Sequence, residues 1–503
     1  MIKVLKNNVY ILLLAVIVAA CGAPSVPSSY EKTEKSVTIY PDYKDVTVPC
    51  NIAPLVYAIQ EQGDEFVTRF SAQGTSVVVG GKDVVPQIDE WCALLQSANG
   101  ASISVETFVK KGNRWSAYKP FGIAVSPDSI DTYISYRLIP PSYVAYEQLT
   151  INQRNLTNFD EQVIYNNMLA ATENEGSCIN CHAYKNYRTD NMQFHIRQGN
   201  GGTLFIHNGE PVKLNMATAS TLSPGVYPAF NPVYDIVAYS VNKTGQIFHT
   251  VKTNKVEVQD VASDVIVYNP VANTVTNVAN GPNDLEVFPW WSPDGRTLYY
   301  GSAHFEVIDT ANIVMKEEII RHQEIKYDIL RRSWNPDTFE FGEVDTVFAA
   351  TKLGKSATFP RISPDGRFLL FALGEYGCFH VWHHDADLYL LELATGEYWP
   401  LEEANSEYAE SYHSWSSNAR WILFSSRRDD TNYTRLYIAH VDADGKASKA
   451  FVLPQQSPDY YPLFDRSYNV PEFMVEPVRF TPQEFAEIIK GEAKKVQYSP
   501  TGK

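Results

Sequence analysis

The chain has 503 residues, a net charge of −16 and an isoelectric point near 5.2. That acidity disfavours nucleic acid and anionic lipid as partners. The length exceeds what one hydrophobic core fills, so two domains or one large closed fold are expected, and 31 Tyr with 29 Pro suit many short strands and turns.

Lys3 and Lys6 precede an apolar run from Val9 to Ala20. The run is too short for a stable membrane span and fits a signal peptide over residues 1–20. Val18-Ala19-Ala20-Cys21 resembles a bacterial lipobox. The resemblance implies cleavage before Cys21 and acylation of its sulfur, which would hold the chain on a membrane. Gly22 in place of an aspartate favours the outer membrane, with its periplasmic side as the expected location. Residues 21–36 read as a polar tether.

Residues 37–150 read as a β-rich, sandwich-like domain. Apolar runs recur at 66–70, 76–79, 103–109, 115–125 and 132–139, with turn residues between them. Ile88, Trp91, Cys92 and Leu95 share one helical face, so one helix crosses this domain, with Trp91 in the core. Cys50 and Cys92 are either a disulfide or two separate thiols.

From Asn158 to Thr172 the pattern turns helical, with Asn158 as cap and Val163, Ile164 and Leu169 on the apolar side. This helix, within a linker over residues 151–190, leads to Cys178-Ile179-Asn180-Cys181-His182. Two cysteines three apart followed by histidine read as a c-type haem attachment site. Each thiol adds to one vinyl group of a porphyrin, and the histidine supplies an iron ligand. About 0.002 such pentapeptides are expected by chance from this Cys and His content. Half of a zinc site is the alternative, but no second CxxC or HxxxH follows nearby. The motif is expected on a short peptide between two β-rich bodies, carrying one covalent haem c.

Residues 192–198 and 203–207 alternate around Gly199-Asn200-Gly201-Gly202 and read as a hairpin. Its alternation puts Met192 and His195 on opposite faces, so at most one can serve as second iron ligand beside His182. A propeller residue, or none, is the other possibility.

An internal repeat follows. Tyr227-Pro228-Ala229-Phe230-Asn231-Pro232 is echoed at Phe288-Pro289-Trp290-Trp291-Ser292-Pro293-Asp294-Gly295-Arg296 and at Phe359-Pro360-Arg361-Ile362-Ser363-Pro364-Asp365-Gly366-Arg367. A degenerate copy starts at Tyr412 and a weak one at Tyr461. Each fuller copy is a strand, a Ser-Pro-Asp-Gly turn and a returning strand. Such units bury their faces only by stacking as propeller blades. The motif resembles the TolB-like β-propeller family over residues 191–475. Five anchors are visible, and the resemblance implies five or six blades, closed by the 192–207 hairpin against strands after Tyr461. Residues 304–323 exceed blade length and read as an insertion with some helix. Thr481-Pro482-Gln483-Glu484 is a capping box opening a helix in the tail, residues 476–503.

Two further stretches are dense in functional side chains. Residues 378–387 hold Cys378, His380, His383, His384, Asp385 and Asp387. They read as a metal site, a haem-facing histidine or a polar loop. Arg427-Arg428-Asp429-Asp430 reads as surface ion pairing.

The whole arrangement resembles lipid-anchored envelope proteins that join a β-rich head, a single CxxCH and a TolB-like propeller. The matching stretches include Val48-Pro49-Cys50-Asn51, the haem motif with Asp190-Asn191-Met192-Gln193-Phe194-His195, and Ser425-Ser426-Arg427-Arg428-Asp429. No Ser-His-Asp signature, Walker loop, dinucleotide fingerprint or HExxH is present in the sequence. The expectation is a mainly β protein of the cell envelope. It transfers electrons or senses redox state through haem c on Cys178, Cys181 and His182, and docks a redox or envelope-assembly protein. The alternative is a TolB-like assembly or ligand-binding propeller in which haem is structural.

Overall fold

The computed structural model describes residues 23–141, 148–172, 176–249, 255–308 and 316–502. The signal peptide expected over residues 1–20 and the lipidated Cys21 lie outside the described residues. Among the described residues no helix is long and apolar enough to cross a membrane.

The chain divides into two units. One comprises, of the described residues, 23–45, 54–125 and 454–460. Its central strand, Ser102–Lys111, pairs on one edge with Glu65–Ala72. The other edge is shared by Arg114–Lys119 and Phe121–Ser126. The expected helix is present at Ile88–Ser97 and buries Trp91, Leu94 and Leu95. Trp91 stands edge-on to Phe70 at 5.8 Å. Cys50 and Cys92 are both unbridged thiols.

Among the described residues the second unit is a β-propeller of six sheets, four of four strands and two, blades I and II, of five. The innermost strands of blades I to VI are Ser177–Lys185, Val226–Phe230, Asp284–Trp291, Ser356–Ile362, Glu410–Trp415 and Ser467–Met474. Each touches the next and the last touches the first, so the ring is closed. Leu, Ile, Val and aromatic side chains alternate along the inner strands and pack between neighbouring sheets.

The repeated turns work as their residues dictate. Ser292 Oγ donates to Asp294 Oδ1 at 2.5 Å and accepts from Thr297 N at 3.0 Å. Ser363 with Asp365, and Ser416 with Asn418, repeat the bond at 2.6 Å. Gly295 and Gly366 sit at φ 70° and 75°. The degenerate copy forces Ala419 into the same left-handed region at φ 58°.

Four expectations need correction. The ring closes with residues 133–166, not with the 192–207 hairpin: Ser467–Met474 pairs with Tyr133–Ile139, which continues to Thr150–Asn155 and Glu161–Asn166 as blade VI. The run at 132–139 therefore belongs to the propeller. The helix expected over 158–172 is the strand Glu161–Asn166 followed by a 3-10 turn, Asn167–Ala170. Ladder bonds to Thr150–Asn155 outweigh its helical spacing, leaving Val163 exposed and Ile164 buried. Tyr461 lies in a short helix, Tyr460–Leu463, rather than on an inner strand. Finally, the CxxCH motif is not on a linker: it lies inside the innermost strand of blade I.

The insertion contains a short helix, Glu317–Ile320, as expected. The helix Pro482–Lys490 carries its capping box and buries Phe485, Ala486 and Ile489 where blades VI and I meet. Lys213 Nζ donates to Ile489 O at 2.7 Å, satisfying a carbonyl at its C-terminal end.

Gly366→Ala is expected to cost about 1–2 kcal/mol through the left-handed penalty. Ala419→Gly is expected to be neutral or to stabilise by up to about 1 kcal/mol, relieved strain being offset by unfolded-chain entropy. Denaturant midpoints of the two variants check the pair.

Candidate functional site

Each innermost strand breaks register at the same place. The residues there are Cys181, Tyr227, Phe288, Phe359, Tyr412 and Val470, all with φ between 48° and 58°. None is glycine, and each is a bulge that turns its side chain toward the propeller axis. The next residue is Pro228, Pro289, Pro360 or Pro471 in four blades, and His182 or His413 in the other two. The second half of the CxxCH motif is thus the blade I copy of the aromatic-proline anchor.

The aromatic members stack around the axis. Ring centroids lie 4.8 Å apart for Tyr227–Phe288, 4.0 Å for Phe288–Phe359 and 4.8 Å for Phe359–Tyr412. The remaining cavity, beside Cys181 and His182, has a volume of about 30 Å³, the share of one water molecule. On its far side Arg361 bonds Glu472 at 2.9 Å and lies over Trp290 at 3.9 Å.

The two equivalent histidines differ. His413 Nε2 donates to Phe359 O at 2.7 Å. His182 is 1% exposed, and neither of its ring nitrogens has a hydrogen bond of normal geometry. Burial, then the nearby Arg137 charge, pull its pKa down to about 3, so the ring is neutral. Cys178 and Cys181 are buried, unbridged thiols. Cys178 joins the core between blades VI and I, whereas Cys181 faces the axis. The residue types of a haem c site are present in sequence, two thiols and an adjacent imidazole, but the two thiols face different spaces. Space for a porphyrin is not present, since the aromatic ring would have to open to admit it.

Met192 and His195 lie on opposite faces of Arg188–Gln198, as alternation requires. Met192 packs among Ile179, Phe194 and Leu204. His195 is buried on the other face, with Nδ1 3.1 Å from Thr203 Oγ1. Its pKa falls to about 3, through burial and then Arg197.

A second site lies where the strand-connecting loops of blades II to V meet. The hairpin Val237–Phe248 and Val256–Asn269 of blade II is much longer than the hairpins of the other blades. Lys255 Nζ bonds Asn432 Oδ1 of blade V at 2.7 Å, so the hairpin reaches the opposite side of the ring. Beneath it Glu257 is 5% exposed and meets three histidines. Its Oε2 lies 2.7 Å from His322 Nε2 and 3.7 Å from His249 Nε2, and its Oε1 lies 3.9 Å from His383 Nε2. Tyr376 Oη donates to Oε1. Burial pushes the Glu257 carboxyl up, but the Tyr376 hydroxyl and the three imidazoles bring it below its ordinary value.

Of the dense stretch 378–387, only His383 joins this cluster. His380 is buried and ties its own loop, with Nε2 3.1 Å from Gly377 O. The Cys378 thiol is pushed well up by burial and then Asp260. Arg427 is not a surface ion pair: it is buried, donates to Val381 O at 2.7 Å and stacks on Trp382 at 3.2 Å. Glu257, His249, His322 and Tyr376 carry no signal in the sequence, because they come from three blades and share no motif.

Buried acids gather near the same hairpin. Asp260 accepts from Tyr327 Oη at 2.9 Å, and burial lifts its pKa to about 6. Glu286 accepts from Gly281 N at 3.2 Å, while its Oε2 is buried without a hydrogen bond. Burial lifts its pKa to about 8, from the ordinary 4.5. The unfolded chain ionises this group first, so the stability it leaves intact at low pH is lost as pH rises from about 4.5 to about 8. Glu286→Gln is expected to recover a few kcal/mol at pH ~8 and nothing at pH ~4, read from denaturant midpoints against pH.

No protein-family model matches the chain, and no curated protein matches it. Solved structures give weak likenesses. Tricorn protease aligns at a TM-score of 0.36 and 10% identity, over 86% of this chain and 36% of its own. Prolyl oligopeptidase B from Galerina marginata gives 0.36 and 9%, over 85% of this chain and 55% of its own. An oligogalacturonate lyase in complex with manganese gives 0.29 and 12%, over 83% and 99%. Likenesses this weak carry no function to this chain, and the propeller is read from its own six sheets.

Proposed function

We propose that the chain is a lipid-anchored protein of the bacterial envelope that carries one covalent haem c and exchanges electrons with, or reports redox state to, a protein docked on its propeller. The observation that carries the reading is His182. At the same place in blade V His413 Nε2 donates to Phe359 O at 2.7 Å, whereas neither nitrogen of His182 makes a hydrogen bond of normal geometry, its polar contacts being looser ones to the Ser135 and Val470 backbones. His182 directly follows two reduced thiols at thioether spacing.

Cys178 and Cys181 would hold the porphyrin, and His182 would face its iron. A bound haem would supply a one-electron ferric–ferrous couple. Burial keeps the His182 ring unprotonated down to about pH 3, so its lone pair stays available at any envelope pH. Met192 and His195 remain candidates for the second axial place. Acylated Cys21 would supply the anchor.

A second reading is favoured by a different observation: Cys181-His182 stands where four blades carry an aromatic or valine followed by proline. In that reading the strand is structural, and the propeller is a TolB-like assembly or ligand-binding module.

Protein matured in a host competent for cytochrome c is expected to gain about 616 Da and to show a reduced α-band near ~550 nm. Cys178→Ala with Cys181→Ala is expected to abolish both. A colourless wild-type product without the added mass overturns the haem reading and leaves the second.

A further inference from the structure

We infer that Glu257, His249, His322 and His383 form a binding site for a divalent transition ion of the zinc class, held beneath the long hairpin of blade II. The site shares no residue with Cys178, Cys181 or His182, so it stands or falls apart from the haem reading.

His322 is the best-defined donor. Its Nδ1 lies 2.8 Å from Ile319 O, and a carbonyl can only accept, so Nδ1 carries the proton. In the neutral ring Nε2 is then a bare lone pair, 2.7 Å from the acceptor-only Oε2 of Glu257. Two acceptors at that distance need a positive charge, either a second proton on the ring or a metal ion beside both atoms. Nε2 has no hydrogen bond of normal geometry, so the two atoms flank one another rather than sharing a proton. Histidines that ligate metals show this arrangement, with the second ring nitrogen donating to a backbone carbonyl.

The neighbours repeat the need. His249 Nε2 is buried, unpartnered and 3.7 Å from the same Oε2. The His383 side chain is 5% exposed, with Nε2 3.9 Å from Oε1 and Nδ1 unpartnered. Two ligand atoms on one ion at about 2.1 Å lie about 3.0–3.4 Å apart. The observed 2.7, 3.7 and 3.9 Å bracket that spacing. Among the described residues no three such side chains stand close enough to hold a metal ion as they are, so the proposal requires the three rings to rotate inward when the ion binds. Three imidazoles and one carboxylate suit zinc and its first-row neighbours rather than calcium or magnesium. Tyr376, which donates to Oε1, orients the carboxylate from behind.

Zn²⁺ is the probe, added to the full chain in detergent after chelator treatment and dialysis. About one equivalent is expected to remain, measured by elemental mass spectrometry and calorimetry. His322→Ala and Glu257→Gln are expected to weaken Zn²⁺ at least ~100-fold, and Tyr376→Phe about 10–100-fold. His249→Ala, on the partly exposed hairpin, is expected to weaken it as well and serves if a more buried variant unfolds by circular dichroism. Wild-type protein that retains no Zn²⁺, or folded variants that bind it as tightly as wild type, overturn the proposal.

Discussion

Six left-handed bulges around one axis are the constraint from which the rest of the propeller follows. A non-glycine residue at positive φ costs about 1–2 kcal/mol. The chain accepts six of them because each throws one side chain into the axis, where the aromatic members stack at 4.0–4.8 Å. Proline follows in four blades, and at a broken ladder its missing N–H leaves no bond unmade. In blade V His413 repairs the gap differently, bonding two carbonyls of blade IV at 2.7 and 3.2 Å. In blade I His182 makes only looser contacts, to the Ser135 and Val470 backbones.

That constraint explains which parts of the fold were legible. The aromatic-proline pairs and Ser-Pro-Asp-Gly turns at 288–296 and 359–367 state the blade in full, because turn chemistry is local. Val470-Pro471 and Cys181-His182 do the same geometric work without an aromatic, so they did not read as copies. Tyr461 looked more like an anchor, yet it precedes the true inner strand. Closure was hidden for another reason. Ser467–Met474 pairs with Tyr133–Ile139, more than 300 residues earlier, and no local pattern encodes a partner at that distance.

The polar content of the propeller is sorted along its axis. The middle is aromatic and nearly dry, whereas the hairpin end collects Glu257, Asp260, Glu286 and several histidines. Burying so many titratable groups costs stability unless each finds a partner. Asp260 has Tyr327, and Glu257 has Tyr376 and three imidazoles. The long hairpin that supplies both acids is held by blades III, IV and V, so its polar face is part of the core rather than a loose flap. Sequence reading found the dense stretch 378–387 but not this convergence. Only His383 of that stretch takes part, and its partners sit on other blades.

Cys181 and His182 answer to two demands at once. As a blade anchor, position 181 needs a side chain that fills the axis, and Val470 shows that a small aliphatic group suffices. Nothing in the ring calls for sulfur. Cys178, three residues earlier, sits among aliphatic neighbours that a valine or alanine would satisfy equally. The equivalent position is proline in four blades, and in blade V an imidazole whose Nε2 bonds two carbonyls while its Nδ1 is unpartnered. An imidazole at 182 whose nitrogens make no hydrogen bond of normal geometry contributes less to the strand than a fully bonded one, since an imperfectly paired buried polar group gives up part of roughly 1–3 kcal/mol. Architecture accounts for the place of all three residues and for the identity of none.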